Sequence, residues 1–239
     1  MFDEMRQLVA LWSDSSLEKN RADITRSNPL NKATRARVSD VLNRIFLPRF
    51  VDGPIENSWR LLAPLEHLGA AVSIVRPIYF WITALAEPLL YDFCCDFISK
   101  ARDRGIRTID IKEASGWVGS KGNDWSEVVT LKVTRAVLAA LRDFGVLEGR
   151  VRKQAVTPQL PLASFAYITF CLVKSGAVIR NILFHSDWCL FSLRPGDVER
   201  FLLEAHQHRL LEYHVAGSIL SLNFPVSTPE EYARVVLGR

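Results

Sequence analysis

The sequence predicts a mainly α protein, a helical bundle followed by winged-helix-like units with short β hairpins. Three observations carry that expectation. Apolar residues recur at helical spacing through most of the 239-residue chain, as amphipathic helices require. Proline and glycine punctuate the pattern, at Asn28-Pro29, Asp52-Gly53-Pro54 and Arg104-Gly105 among other places. Two stretches, LAALRDFGVLEG (138–149) and LLEAHQHRLLEY (202–213), run from a helix end through Leu-Glu into a strand. Residues 1–100 are expected to form an amino-terminal helical bundle domain. Residues 101–239 are expected to form a carboxy-terminal helical domain with two helix-plus-wing units.

The elements follow in order. Glu4 to Leu11 reads as a short amphipathic helix, and Ser16 caps a second that ends at the Asn28-Pro29 turn. NKATRARVSDVLNRIFLPRF makes a third, with Val38, Leu42 and Ile45 on its core side. From Ser58 to Lys100 the helices are apolar nearly all round, which places Trp59, Tyr79, Phe80, Trp81 and Phe93 in a core. Arg107 to Ile111 reads as a short strand. Lys112 to Trp117 reads as a short helix that ends in the glycine-rich GWVGSKGND.

The stretch from Asp124 to Lys153 is the one around which the chain is organised. Asp124 or Ser126 caps its helix and Gly145 stops it. Leu131, Val133, Val137, Leu138, Leu141 and Phe144 share one apolar arc, with Lys132, Arg135 and Arg142 opposite. Val128 is the misfit, an apolar residue on the basic side. Val146 to Glu148 reads as a strand, Gly149 allows a turn, and Arg150, Arg152 and Lys153 follow. A helix with a basic outer face feeding a small basic hairpin is the form in which a winged helix meets DNA. An ordinary amphipathic helix with solvated charges fits the same residues.

Gln154 to Pro161 is a proline-bearing linker. Leu162 to Val173 and Ala177 to Phe184 read as buried helices, and Ser186 to Leu193 as extended. A helix from Pro195 leads into a hairpin that turns at Gly217, and a last helix starts at Ser227-Thr228-Pro229-Glu230-Glu231.

With 49% apolar and 23% charged residues the chain is that of a globular protein. Its net charge of +4 is unevenly spread. Residues 26–49 hold six Lys/Arg against one acidic residue, and 99–153 hold twelve against seven. Each block nets +5, while the rest is neutral or acidic, as a footprint on phosphates requires. The longest uncharged apolar run, Pro77 to Ala86, is far short of the ~20 residues of a membrane span, and Asp3, Glu4 and Arg6 argue against a signal peptide. Cys94, Cys95, Cys171 and Cys189 lie among apolar residues with no CxxC spacing, so they are expected to be reduced core thiols of a cytoplasmic protein.

No reaction is suggested. Gly116 to Gly122 lacks the spacing of a phosphate-binding GxxxxGK[ST] loop, although Lys121 and the backbone there are placed to touch a phosphate. HExxH and GxSxG are absent. His206, His208 and His214 straddle a helix end and a strand without acidic or thiol partners at ligand spacing. Asp92 and Asp96 read as a solvated helix edge. No catalytic residue, metal or cofactor is expected.

NPLNKATRARV (28–38), Arg49-Phe50, Trp125-Ser126, LRDFGVLE, Phe165-Ala166-Tyr167, SDW (186–188) and LLEYHVAGSILSL (210–222) occur in an order that resembles the BrxA family of BREX phage-exclusion systems. The resemblance covers nearly the whole chain. It implies a non-enzymatic, largely helical, cytoplasmic antiviral-defence protein that binds double-stranded DNA beside a methyltransferase and an ATPase. It also leads one to expect a short leader ahead of the first residue. The residues expected to meet DNA form two sets. Lys121, Lys132, Arg135, Arg150, Arg152 and Lys153 are one, and Lys32, Arg35, Arg37 and Arg44 are the other. No arrangement of Asn, Gln or Arg argues for reading a particular base, so binding is expected to be largely sequence-nonspecific. The rival expectation is a protein–protein adaptor that holds the defence complex together.

Overall fold

A computed structural model describes residues 1–122, 124–149, 152–217 and 219–239. It is mainly helical, with twelve α-helices and two small antiparallel sheets among the described residues. Packing gathers the chain into two compact units that interleave in sequence. The first holds Met1–Ala86, Pro161–Ile182 and Arg200–Arg239; the second holds Glu87–Leu160 and Leu183–Glu199. The linear division at residue 100 is not the one the packing follows.

The first unit is the helical bundle. It contains α1 (Phe2–Leu11), α2 (Leu17–Ser27), α3 (Arg35–Val41), α4 (Trp59–His67) and α5 (Val72–Ala86). α3 continues into a π-helical segment, Leu42–Val51, that carries Pro48. Trp81, Tyr79, Phe80, Phe46 and Phe50 are fully buried, so the all-round apolar helices do lie in the core. α1 is held to α4 by a two-pronged ion pair, Arg6 Nε and Nη2 donating to the Glu66 carboxylate at 2.9 and 2.8 Å.

Later chain segments complete the same bundle. α10 (Leu162–Lys174) follows the unit boundary, and the Tyr167 hydroxyl donates to the Leu61 carbonyl at 2.6 Å. α11 (Pro195–Gln207), which belongs to the bundle from Arg200 on, leads to a two-stranded hairpin whose strands are numbered last, after those of the second unit. α12 (Pro229–Leu237) closes the chain, capped reciprocally by Thr228 and Glu231 as its sequence predicts.

In the second unit, α6 (Pro88–Asp92), a π-helical segment Phe93–Ile98 and α7 (Ser99–Asp103) precede β1 (Thr108–Ile109). α8 (Ile111–Lys121) and α9 (Glu127–Asp143) follow, then β2 (Leu147–Glu148) and β3 (Lys153–Ala155). The strands pair antiparallel in the order β1-β3-β2, with Thr108 opposite Gln154 and Leu147 opposite Ala155. Back in the bundle, β4 (Glu212–Ala216) and β5 (Ile219–Asn223) pair from Glu212↔Asn223 to Ala216↔Ile219.

Four expectations are corrected. The glycine-rich stretch does not stop the helix at Trp117; α8, capped at its start by Asp110 accepting from two amides, continues into it as far as Lys121. A Cβ on Gly119 would lie 3.4 Å from the Thr130 methyl, an ordinary van der Waals contact, so α9 passes close to this turn of α8. Ile179–Phe184 is a 3₁₀ turn with Phe184 72% exposed, not a buried helix. Ser186–Phe191 is a 3₁₀ helix rather than a strand, begun by His185 Nδ1 accepting from the Asp187 amide at 3.3 Å.

The fourth correction concerns the thiols. Cys94 and Cys171 are free and buried, and burial pushes the Cys94 thiol up to about 12. Cys95 and Cys189 are instead joined by a disulfide, with Cα atoms 5.3 Å apart. One residue's step along the π segment separates the inward Cys94 from the half-buried Cys95, and Cys189 arrives on the 3₁₀ helix.

Candidate nucleic-acid interface

α9 has one buried and one exposed stripe. Thr130, Thr134, Val137, Leu138 and Leu141 are buried. Leu131, Val133 and Phe144, assigned to the apolar arc by spacing, are only half-buried. The arc is turned towards two threonines because the Thr134 hydroxyl donates to the Thr130 carbonyl at 2.8 Å, which satisfies it inside the helix. Ser126, not Asp124, is the cap, its Oγ accepting from the Val129 amide at 3.4 Å.

On the opposite side Val128, Lys132, Arg135 and Arg142 are exposed or half-exposed, and their spacing aligns them along one face. Among the described residues Lys132 and Arg135 have no ionic partner, whereas Arg142 sits 3.2 Å from Asp143. Two unpaired cations on one helical face cost their solvation little and leave their charge available to an anion.

The hairpin follows α9 in the chain. Gly149 has φ +86°, and a Cβ there would lie 2.1 Å from the Arg152 carbonyl oxygen, so only glycine makes the turn. Arg152 is exposed at the hairpin's return, and Lys153 is half-buried in β3 opposite Ile109. Arg150 lies outside the described residues. Lys121, at the end of α8, is exposed but engaged; its ammonium is 3.9 Å from Asp92 and 5.1 Å from the centre of the Trp117 ring.

Behind α8 the packing is aromatic and tightly tied. Phe93 meets Trp117 edge-on at 5.2 Å, and the Trp117 indole N–H donates to Asp96 at 2.9 Å. Asp96 also holds Lys100 at 2.5 Å, and these two partners, Lys100 foremost, keep its carboxyl below the usual range. The Asp92–Asp96 edge is therefore spent on structural pairs.

The amino-terminal set belongs to the bundle. Lys32 pairs with Glu4, and Arg44 lies 3.5 Å from Asp40. Arg35 and Arg37 are exposed in the first turn of α3, where a helix dipole disfavours cations. Helix stability does not account for arginines there. A cleft of about 380 Å³ is lined by Glu4, Lys32, Arg37, Asp40 and Arg44.

Spacing passed over Trp125. It packs on Gly122, so closely that a Cβ there would lie 2.3 Å from the ring, yet 41% of it remains exposed just before α9. The histidines are also explained. His206 Nδ1 accepts from the Tyr213 amide at 3.3 Å, and the His206 and His214 rings meet edge-on at 5.2 Å, tying hairpin to helix. No group of three or more His, Cys, Asp or Glu among the described residues is gathered as a metal ion needs. No single described helix is long and apolar enough to cross a membrane.

The BrxA family model matches residues 1–170. The chain belongs to the BrxA family. Membership makes it a component of a BREX defence system, in a family that is generally non-catalytic. The matched stretch takes in α8, α9 and the β1-β3-β2 sheet, and stops before α11 and the β4–β5 hairpin. No curated protein and no solved structure matches the chain.

Proposed function

We propose that this BrxA-family protein binds double-stranded DNA as a non-enzymatic part of its defence system, in the cytoplasm beside the system's methyltransferase and ATPase. The observation that carries the reading is the exposed Lys132–Arg135 face of α9, free of ionic partners among the described residues and followed by a hairpin bearing Arg152. The order β1-α8-α9-β2-β3 supports it, because it is that of a winged helix, whose last helix enters the major groove while the wing meets the backbone. Lys121 and Lys153, in the same unit, belong to the same proposed contact set, and Lys32, Arg35, Arg37 and Arg44 form a separate set in the bundle. Most contacts on such a surface go to phosphates, so affinity is supplied largely without regard to sequence.

The test is duplex affinity measured across salt concentrations. Log affinity should fall against log salt with a slope of about −0.9 for each phosphate neutralised. A flat response, or no binding at low salt, would favour the second reading, an adaptor within the defence complex. That reading draws on Phe184, 72% exposed in the second unit.

A further inference from the structure

Val128 is 78% exposed, the most exposed of the large apolar side chains among the described residues. It stands one residue into α9, and its spacing sets it on the same face as Lys132 and Arg135. Neither helix formation nor the core requires it. Valine is a weaker helix former than the lysine or glutamate that would suit a solvated position, and the residues that pack α9 are on the other side. Trp125 and Val129, 41% and 42% exposed, border it at the helix start. The helix thus offers water a small apolar tip at its amino-terminal end and cations farther along.

We propose that Val128 contacts thymine 5-methyl groups in the major groove, giving this interface a preference for thymine-bearing sequence within otherwise phosphate-driven binding. The inference rests on the DNA-binding reading above and deepens it. In a helix that docks in the major groove, the amino-terminal residues are the ones that reach base edges. The only apolar group on a base edge there is the thymine methyl, and a short branched aliphatic side chain fits it. The cations one and two turns later are set to hold the backbone on either side, which fixes how deep the tip can sit. The apolar tip ends with Trp125, Val128 and Val129, because the next exposed positions on this face are Lys132 and Arg135, so it is too small for a protein-docking patch and continues into charge suited to phosphates.

The experiment compares one A·T-rich duplex with a twin in which every thymine is replaced by deoxyuridine, which removes the methyl and keeps the pairing. The natural protein should bind the thymine duplex about fourfold more tightly, the transfer value of one methyl group. Val128→Ser should bind both duplexes alike, at the affinity the natural protein shows for the uracil duplex, with unchanged melting. Lys132→Ala should weaken both equally and preserve the ratio. Equal binding of the two duplexes by the natural protein, or a ratio that survives Val128→Ser, overturns the inference and leaves DNA binding intact. Failure to bind either duplex at low salt overturns the DNA-binding reading and this inference with it.

Discussion

The chain builds a helix followed by a β hairpin twice, and the two copies differ in what they show to water. In the second unit α9 leads to β2–β3, a hairpin of very short strands steadied by β1 along its edge. In the bundle α11 leads to β4–β5, two strands of five residues with no third among the described residues. There Tyr213 and Leu222 are buried as a facing pair, and the His206 contacts bind the strand back to its helix. The face of α9 presents Lys132 and Arg135 unpaired among the described residues. Exposed positions of α11 include Glu199, Arg200, Leu203, Glu204 and Gln207, a mixed set with no excess of positive charge. Shape alone does not assign function here. A helix and hairpin become a surface for an anion only when the outward stripe is cationic and uncommitted.

The comparison can be broken most severely from inside. Leu138 is 1% exposed on the buried stripe of α9. Leu138→Ala should cost roughly 2–5 kcal/mol of stability by leaving a cavity. Calorimetry should show the drop, and duplex binding should fail only in step with melting. A variant that melts normally yet does not bind would mean the stripes have been assigned the wrong way round.

The disulfide separates the two copies by a smaller amount. Cys95 and Cys189 are 94 residues apart and both belong to the second unit. Closing so long a loop stabilises by about 2–4 kcal/mol. Reduction, or Cys189→Ser, should therefore speed amide exchange in Phe93–Ile98 and Ser186–Phe191 while β4–β5 exchanges as before. Uniform acceleration throughout would show that one cooperative transition covers both units. Such a bond persists only where thiols are not kept reduced, so binding is measured for the oxidised and the reduced forms alike.

Local chemistry was legible in the sequence. Ser126, Thr228 with Glu231, and Gly149 each announce a cap or a turn through residues within a few positions. The outward placement of Lys132 and Arg135 follows from helical period alone. Features that depend on distant partners were not legible. Nothing near Cys95 points to Cys189, because the pairing comes from a segment that returns to the unit after the chain has left it. Thr130 and Thr134 count as polar in any periodicity, and only the hydroxyl-to-carbonyl bond inside the helix makes them core residues. Gly116 and Gly119 suggest a loop because two glycines weaken a helix; the buried Ala114 and Val118 on the same helix outweigh that. SDWCLF ends in an apolar, aromatic run of the kind strands hold, but a capping histidine and the buried Asp187, which accepts from the Tyr91 hydroxyl at 3.1 Å, accompany a 3₁₀ turn.

The most direct measurement sets the two helix-plus-hairpin copies against each other in one assay. Duplex affinity is followed across salt for Lys132→Ala/Arg135→Ala on α9 and for Arg209→Ala, an exposed cation in the turn between α11 and β4, with melting measured alongside. The α9 variant should bind more weakly, with a slope shallower by about two, one for each phosphate no longer neutralised. Arg209→Ala should keep both affinity and slope, and neither variant should change its melting. Unchanged affinity and slope in the α9 variant would contradict the assignment of DNA binding to that face.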